Sequence, residues 1–436
     1  MIWWYVRDML LAFDVQNHLS FKDPVSLNAM RLRKPSGSED SASWDDRVSP
    51  IIVIYGPNAS GKSNLLDAMS FVRHLALRNS VDEDQNRLNH PFRLDKSNAD
   101  KESRYVIRFI ASDGGEQREF VYELGLMRNH ISFESLVVYR TTQPTQLFTR
   151  VQESAQEEIT AKFNRSISKI EQKLILKVIS PEKTIISAAS IIDESSFAGV
   201  YSWFYDNLRN YDAPGFESEH ERIKRRLHEG DESFHSELLS YLKAADLGIC
   251  SIELNELDEE RQVKLRAALL ESDLPEEYVD KFLEDQRISI SLSHSSADGK
   301  VTLPFALESD GTKAMLSFGS IVSTALSNGN AIIVDEIDTS LHPMLVRYLV
   351  GLFISPASNP LQAQLIVTTH DIGLISSWPM EDELLDKDQI WFVEKDHSGA
   401  SSLYSLADFS PRRDENVVRR YLLGHYGAIP KVSTDA

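Results

Sequence analysis

Ile51-Ile52-Val53-Ile54-Tyr55 is an unbroken apolar run of mostly β-branched residues. Such a run marks a strand buried on both faces, as in a parallel sheet. It leads through Gly56 to Ser63 into a stretch carrying Leu65, Leu66, Ala68, Met69 and Val72 at helical spacing. Strand patterns return at Ile288–Leu292, Ala331–Val334, Gln364–Thr368 and Gln389–Val393, with helices predicted over 312–326 and 344–354. Alternating strands and helices of this kind predict an α/β fold around a largely parallel sheet.

Two further regions carry a different rhythm. Residues 10–30 read as a strand, a turn through Asn17–Ser20 and a second strand over 25–27; 33–48 is a polar loop. Tyr105–Ile110 and Phe120–Leu126 read as a hairpin around Asp113-Gly114-Gly115, followed by a strand over Ile131–Tyr139, which together predict an antiparallel β lobe. From 153 to 287 the pattern turns helical: Ile159, Phe163, Ile167, Ile170 and Leu174 recur every three or four residues, as do Ile223, Leu227, Phe234, Leu238 and Leu242. Pro181, Pro214, Gly230 and Pro275 interrupt this region, so long coiled-coil arms are not expected. The predicted organisation is 1–152, a first half of an α/β head with its antiparallel lobe; 153–287, a helical insertion; and 288–436, the second half with its C-terminal tail.

Composition narrows the class. With 436 residues the chain can build a large core, and 42% apolar content fits a folded globular protein. Lys plus Arg number 46 against 66 Asp plus Glu, a formal net charge of −20. That balance excludes a histone-like grip on nucleic acid; any such contact must come from a local patch such as Arg222, Lys224, Arg225 and Arg226, or Arg412, Arg413, Arg419 and Arg420. Both clusters read better as solvated or salt-bridged surfaces, and Glu253, Glu256, Asp258, Glu259 and Glu260 as a solvated acidic face. Cys250 is the sole cysteine, which excludes an intrachain disulfide and fits the reducing cytoplasm. The apolar opening Met1–Val6 is far shorter than the roughly 20 residues of a membrane span, so neither signal peptide nor anchor is expected, and Met9 is the more natural start of the fold.

The chemistry is concentrated in short motifs. Gly56-Pro57-Asn58-Ala59-Ser60-Gly61-Lys62-Ser63 fits G-x-x-x-x-G-K-[ST] between a buried strand and a helix, the setting of a phosphate-binding loop. Its backbone N–H groups, including those of Asn58, Ala59, Ser60 and Gly61, would cradle phosphates at the positive end of the helix that Asn64 helps open. Lys62 would reach the β- and γ-phosphates, and the Ser63 hydroxyl would ligate Mg²⁺. Far downstream the strand Ala331–Val334 ends in Asp335-Glu336. An acidic residue at the carboxyl end of a parallel strand lies where ligands bind, so Asp335 is expected in the magnesium shell and Glu336 as the general base that polarises an attacking water. Val367-Thr368-Thr369-His370-Asp371 ends another strand with a histidine placed to contact the γ-phosphate. Leu307-Glu308-Ser309-Asp310-Gly311-Thr312-Lys313 opens an apolar helix, where Ser309 and Gly311 either cap the helix or offer a hydroxyl and free N–H groups to an anion, including one held by a second molecule. No Asp/Glu/His cluster outside these motifs suggests a nuclease, and no nucleophile triad is evident.

The order of these motifs, with Ile-Ile-Val-Asp-Glu-Ile-Asp, Ser-Leu-His-Pro and Thr-Thr-His-Asp, resembles the ATP-binding-cassette ATPases of the SMC, RecF and OLD type. More closely, the chain resembles the AAA-type ATPases of bacterial antiphage operons, the RloA, AbiL and AriA-like group. Asn17-His18-Leu19-Ser20-Phe21 is similar to that group's N-terminal turn. Phe409–Glu415, Tyr421 and Gly424–Pro430 are similar to its tail. The resemblance implies a cytoplasmic ATPase that forms an ATP-sandwiched homodimer or higher oligomer. In it Lys62 and Ser63 would face the partner copy's signature motif, Glu336 would be the catalytic carboxylate, His370 the switch histidine, and Asp338–His342 the loop crossing the seam. It further implies a separate effector, toprim-like, RloB-like or a nuclease, with ATP and Mg²⁺ as ligands. A RecF- or SMC-like clamp on DNA is the alternative, and the acidic charge weighs against it. The signature reads Ser-Asp-Gly-Thr where transporters carry Ser-Gly-Gly-Gln, and His342 stands where they usually have Asp.

Overall fold

The computed structural model describes residues 8–32, 44–78, 88–245, 248–270, 275–297, 299–376, 384–412 and 415–430. The segment Met1–Val6, most of the polar loop expected over 33–48, and Arg413 with Asp414 lie outside them. Two compact units are formed, one of Met1–Tyr211, Ala325–Asp338 and Val350–Ala436, the other of Asp212–Thr324 and Thr339–Leu349.

The first unit opens with β1 (Met9–Gln16), β2 (Val25–Asn28), α1 (Trp44–Arg47), β3 (Ile51–Tyr55) and α2 (Lys62–Leu77). It continues with β4 (Ser103–Asp113), β5 (Glu116–Met127), β6 (His130–Tyr139), β7 (Thr145–Val151) and β8 (Thr160–Phe163), then α3 (Lys169–Val178), α4 (Ile185–Ala189), α5 (Ala198–Asp206) and β9 (Arg209–Tyr211). Seven strands form the expected antiparallel sheet in the order β2-β1-β4-β5-β6-β7-β8. Gly114 and Gly115, both at positive φ, close the β4–β5 hairpin with Asp113 opposite Glu116, the two-residue turn whose twist suits paired strands.

The second unit holds α6 (Ala213–His228), α7 (Glu232–Ala244), β10 (Ile249–Glu256), α8 (Glu259–Leu270), α9 (Glu276–Gln286), β11 (Ile288–Ser296), β12 (Gly299–Pro304) and most of α10 (Asp310–Asn328). Strands β10-β11-β12 form a three-stranded antiparallel sheet. α10 is tied to α6 and α7 by Ser320 Oγ donating to Glu219 at 2.6 Å and Ser323 Oγ donating to Glu237 at 2.6 Å. Gly319 lets Leu238 and Tyr241 approach: a Cβ there would stand 3.2 Å and 3.3 Å from them.

After α10 the chain returns to the first unit through β13 (Ala331–Val334), passes α11 (Pro343–Ile354), on which the unit boundary falls, and adds β14 (Gln364–Thr368), β15 (Ile390–Lys395), β16 (Ser401–Ser405) and α12 (Val417–Leu422). The second sheet runs β16-β15-β3-β14-β13-β9, parallel throughout except for β16. β3 lies between β14 and β15, and all five of its residues are buried, the physical reason for its uninterrupted apolar sequence. This mixed sheet beside an antiparallel sheet, with covering helices, is the expected α/β fold class.

The division between units falls at Tyr211, not at the expected 152, because residues 160–211 complete the first unit. β8 extends the antiparallel sheet, β9 borders β13, and Trp203 of α5 packs on Phe109 of β4 with ring centroids 4.3 Å apart. The stripe from Ile159 to Leu174 is likewise not one helix: it crosses β8 before α3, where Ile170 and Leu174 are exposed and Glu171 and Ile175 are buried. The region expected to be wholly helical also contains β10, so the acidic run begins on a strand.

A buried ion pair braces the antiparallel sheet. Glu134 on β6 and Arg150 on β7 are both fully buried, 3.7 Å apart. Glu134 accepts from Tyr122 Oη and from Ile185 N at the start of α4, and Arg150 donates to the carbonyls of Ser180, Pro181 and Lys183. Burial pushes the Glu134 carboxyl up, and the Arg150 charge and these hydrogen bonds oppose that push.

Candidate functional site

The phosphate-binding sequence follows β3, at the carboxyl edge of the parallel sheet. Ala59 and Gly61 take left-handed backbone angles, φ 62° and 114°. Gly61 has a second constraint: a Cβ there would stand 2.4 Å from Ser401 Oγ and 2.5 Å from Ser20 Oγ. Gly56 is crowded too, since its Cβ would lie 2.4 Å from the Val393 carbonyl. The loop is thus packed against β15 and β16 on one side and the turn after β1 on the other. Ser401 Oγ lies 2.5 Å from the Ser60 carbonyl and 2.7 Å from Ser20 Oγ, and Asn64 Nδ2 donates to Ser20 Oγ at 2.7 Å.

Lys62, the first residue of α2, is 5% exposed. Its ammonium donates to the carbonyls of Gly56 at 2.9 Å and Pro57 at 3.4 Å, and to His370 Nε2 at 3.1 Å. The last bond requires a neutral imidazole with its proton on Nδ1. Burial, and after it the Lys62 charge, hold His370 below its ordinary pKa; Asp338, Glu336 and Asp335 pull the other way. Burial likewise lowers Lys62, against the attraction of the same three carboxylates.

The acidic residues are organised by one buried side chain. Thr368, the last residue of β14, accepts from Glu336 N at 2.8 Å and donates to Asp335 Oδ1. Glu336 sits in the left-handed region at φ 51°, a conformation that costs a non-glycine residue about 1–3 kcal/mol and persists only when its surroundings impose it. A second bond from Ile337 N to the Thr368 carbonyl, 3.1 Å, holds the same turn. One residue on, Thr369 Oγ1 donates to Asp338 at 2.7 Å, so Asp338 fixes the segment that carries His370.

A cavity of about 310 Å³ is lined by Asn58–Asn64, Glu336, His370 and Lys395. The structure therefore brings the predicted loop residues, Glu336 and His370 to one space, with Asp335 beside it. Ser309 and Gly311 belong to the second unit. There Ser309 Oγ accepts from Thr312 N at 3.1 Å and pairs with Thr312 Oγ1 at 2.8 Å, so it caps α10 in the single chain. Glu308, just before it, is buried and bound to His294 Nε2 of β11 at 2.8 Å.

A sequence profile of the family described as "AAA domain, putative AbiEii toxin, Type IV TA system" matches residues 51–376, from the first residue of β3 to just past β14 and His370. The chain belongs to this AAA-domain family. Solved structures similar to it include the SMC head domain from Thermotoga maritima (13% identity, TM-score 0.40, covering 91% of this chain and 98% of that one). Another is the Smc head domain with an extended coiled coil bound to the C-terminal domain of ScpA, from Pyrococcus furiosus (13% identity, TM-score 0.39, 96% and 99%). No curated protein matches the chain.

Three residues of this AAA-domain chain were given no role by the sequence, Thr368, Ser401 and Lys395, and Asp338, expected only in the loop crossing the seam, also fixes the His370 segment. Thr368 and Asp338 lie inside recognisable motifs, and a hydroxyl directly before the histidine segment is the signal for the first. Ser401 and Lys395 lie outside any motif and reach the loop only because β15 and β16 fold alongside β3. The tail that follows them packs on the reverse face of that hairpin: Phe392 stacks with Tyr421 at 5.3 Å and Tyr426 at 6.1 Å, and Tyr421 Oη donates to the Ala428 carbonyl at 3.0 Å. Among the described residues no helix is long and apolar enough to cross a membrane.

Proposed function

We propose that this chain binds and hydrolyses ATP with Mg²⁺, and that ATP-driven assembly of two or more copies regulates a separate effector in defence against phage. One observation carries the enzymatic part: Lys62, Glu336 and His370 converge on a single cavity at the carboxyl ends of three neighbouring parallel strands, with Asp335 oriented beside them. In the reading adopted here, Lys62 exchanges its loop carbonyls for phosphate oxygens, the loop N–H groups cradle the phosphates, and Glu336 accepts a proton from the attacking water. His370, neutral and held by Lys62 and Asp338, faces the terminal phosphate.

The donor set suits magnesium delivered with the nucleotide. Among the described residues no cluster of three or more His, Cys, Asp or Glu side chains forms a metal site. Ser63 and Asp335 offer one hydroxyl and one carboxylate, and Mg²⁺ habitually completes its shell with phosphate oxygens and water. The ion would supply charge neutralisation between the phosphates.

The assembly part rests on the resemblance of the signature motif: Ser309 caps α10 within the single chain, and in the assembled form its hydroxyl would exchange Thr312 for the partner copy's phosphate. The regulatory role draws on the family description, which names a toxin–antitoxin system. The DNA-clamp alternative is weakened by the helical basic cluster, where Arg222 pairs with Glu219, Lys224 with Glu221 and Arg226 with Asp231.

The test is the pair Lys62→Ala and Glu336→Gln. Lys62→Ala is expected to abolish ATP binding and turnover, and Glu336→Gln to hold ATP and accumulate as a dimer in light scattering. Wild-type turnover in the first variant removes the ATPase reading, and an ATP-loaded monomer in the second removes assembly. Plating of phage on cells carrying the chain with its neighbouring gene, with and without Lys62→Ala, tests the defence role.

A further inference from the structure

We propose that Lys395 is a second phosphate-binding cation of the nucleotide pocket, delivered to it by the β15–β16 hairpin; this rests on the ATP-binding reading above. β15 pairs with β3 through Ile390–Val53, Trp391–Ile54 and Phe392–Tyr55, then runs on past the end of β3 alongside the phosphate-binding loop. Its Val393 carbonyl is the atom that a side chain at Gly56 would strike, so the hairpin backbone lies in contact with the start of the loop.

Which face of the hairpin meets the loop is fixed by register. Lys395 stands opposite Ser401 in the antiparallel ladder, and directly opposed residues project to the same side. Ser401 reaches the Ser60 carbonyl in the loop, so Lys395 is carried on the loop-facing side and lines the cavity with Asn58–Asn64, Glu336 and His370. Glu394 projects the other way, accepting from Tyr404 Oη at 3.2 Å beside the C-terminal tail.

Among the described residues Lys395 is bound by no carboxylate. Neither sequence neighbour pairs with it: Glu394 is turned to the tail, and Asp396 is taken up by Ser398 and Ala400 N within its own turn, at 2.7–2.9 Å. Lys395, half-buried as a residue, lines a cavity that also holds Lys62 and the Glu336 carboxylate, so the wall carries two positive charges against one negative, an arrangement that favours a polyanion. A nucleotide polyphosphate supplies that charge, and Lys395 would act as a point-charge contact on it.

The experiment uses the full chain with Lys395→Met, which keeps length and apolar stem, and Lys395→Arg, which keeps charge. The dissociation constants of mant-ATP and mant-ADP are measured by fluorescence at several salt concentrations. Lys395→Met is expected to weaken mant-ATP binding at least tenfold and to flatten its salt dependence, because one screened charge contact is gone. Lys395→Arg is expected to restore most of both, and the unfolding midpoint without nucleotide is expected to stay at the wild-type value. If Lys395→Met lowers that midpoint, Lys395→Gln is held to the same criteria. Wild-type affinity and salt slope in the uncharged variant, alongside lost binding in Lys62→Ala, overturn the proposal and leave the ATP-binding reading standing. Wild-type binding in Lys62→Ala as well overturns that reading itself.

Discussion

Replacing Thr368 by Val removes one hydroxyl from a fully buried site and leaves the side-chain shape nearly unchanged. Two hydrogen bonds go with it: the one accepted from Glu336 N at 2.8 Å and the one donated to the Asp335 carboxylate. A neutral hydrogen bond is worth about 1 kcal/mol and one to a charged group about 1.5–3 kcal/mol, so about 2.5–4 kcal/mol of local restraint is at stake. That exceeds most of the roughly 1–3 kcal/mol needed to hold a non-glycine residue at the left-handed angle of Glu336. The turn is therefore expected to relax, and Glu336 and Asp335 to lose their aim together. If the whole restraint is felt in the transition state, ATP turnover falls by about two to three orders of magnitude, at about 1.4 kcal/mol per tenfold. The assay is steady-state phosphate release against Mg²⁺ concentration, with urea unfolding as control. The Mg²⁺ requirement is expected to rise, nucleotide affinity without Mg²⁺ to stay constant, and Thr368→Ser to recover activity. In a double-mutant cycle with Glu336→Gln, the part of the Thr368→Val loss that runs through Glu336 is expected to vanish and the part that runs through Asp335 to remain, so the losses fall short of additive. Wild-type turnover and Mg²⁺ dependence, or fully additive losses, would refute the reasoning.

Two more outcomes are expected. Because His370 titrates below its ordinary value of 6.5 in the fold, the unfolded chain takes up its proton first as pH falls. The stability this residue contributes is complete above pH 6.5 and is lost as pH falls through its folded value; His370→Asn should flatten that part of a urea-stability profile. Arg150→Met strands the Glu134 carboxylate in the sheet and should cost about 3–5 kcal/mol at neutral pH by urea unfolding. The deficit should shrink in acid, since burial raises Glu134 above its ordinary 4.5 and the variant then carries a neutral carboxyl.

Legibility in the sequence followed burial. β3, β13 and β14 are covered on both sides, so their sequences had to be apolar runs, and each was readable together with the chemistry at its end. β9 was not readable, because Arg209-Asn210-Tyr211 is a three-residue edge strand held to β13 by backbone pairing, which demands no particular side chains. The false helical stripe from Ile159 to Leu174 has a local cause. α3 buries Glu171, whose carboxylate accepts from Ser195 Oγ, Ser196 N and Ser196 Oγ, and its hydrophobic face is rotated accordingly. In the site, residues acting through their own motif were found, whereas Ser401 and Lys395 depend on a strand pairing that only the fold supplies.

The sheet that carries the phosphate pocket takes its neighbouring strands from residues 51–55, 209–211, 331–334, 364–368 and 390–395. The hairpins from β4 to β7 pair with their sequence neighbours and can form as soon as they leave the ribosome, while β3 waits with both edges bare until β14 and β15 have been synthesised. Completion of the pocket is thus a late event set by chain order, and nascent or truncated copies lack it. The chain carries a delay that needs no inhibitor: the pocket wall is complete only after Lys395 has been synthesised.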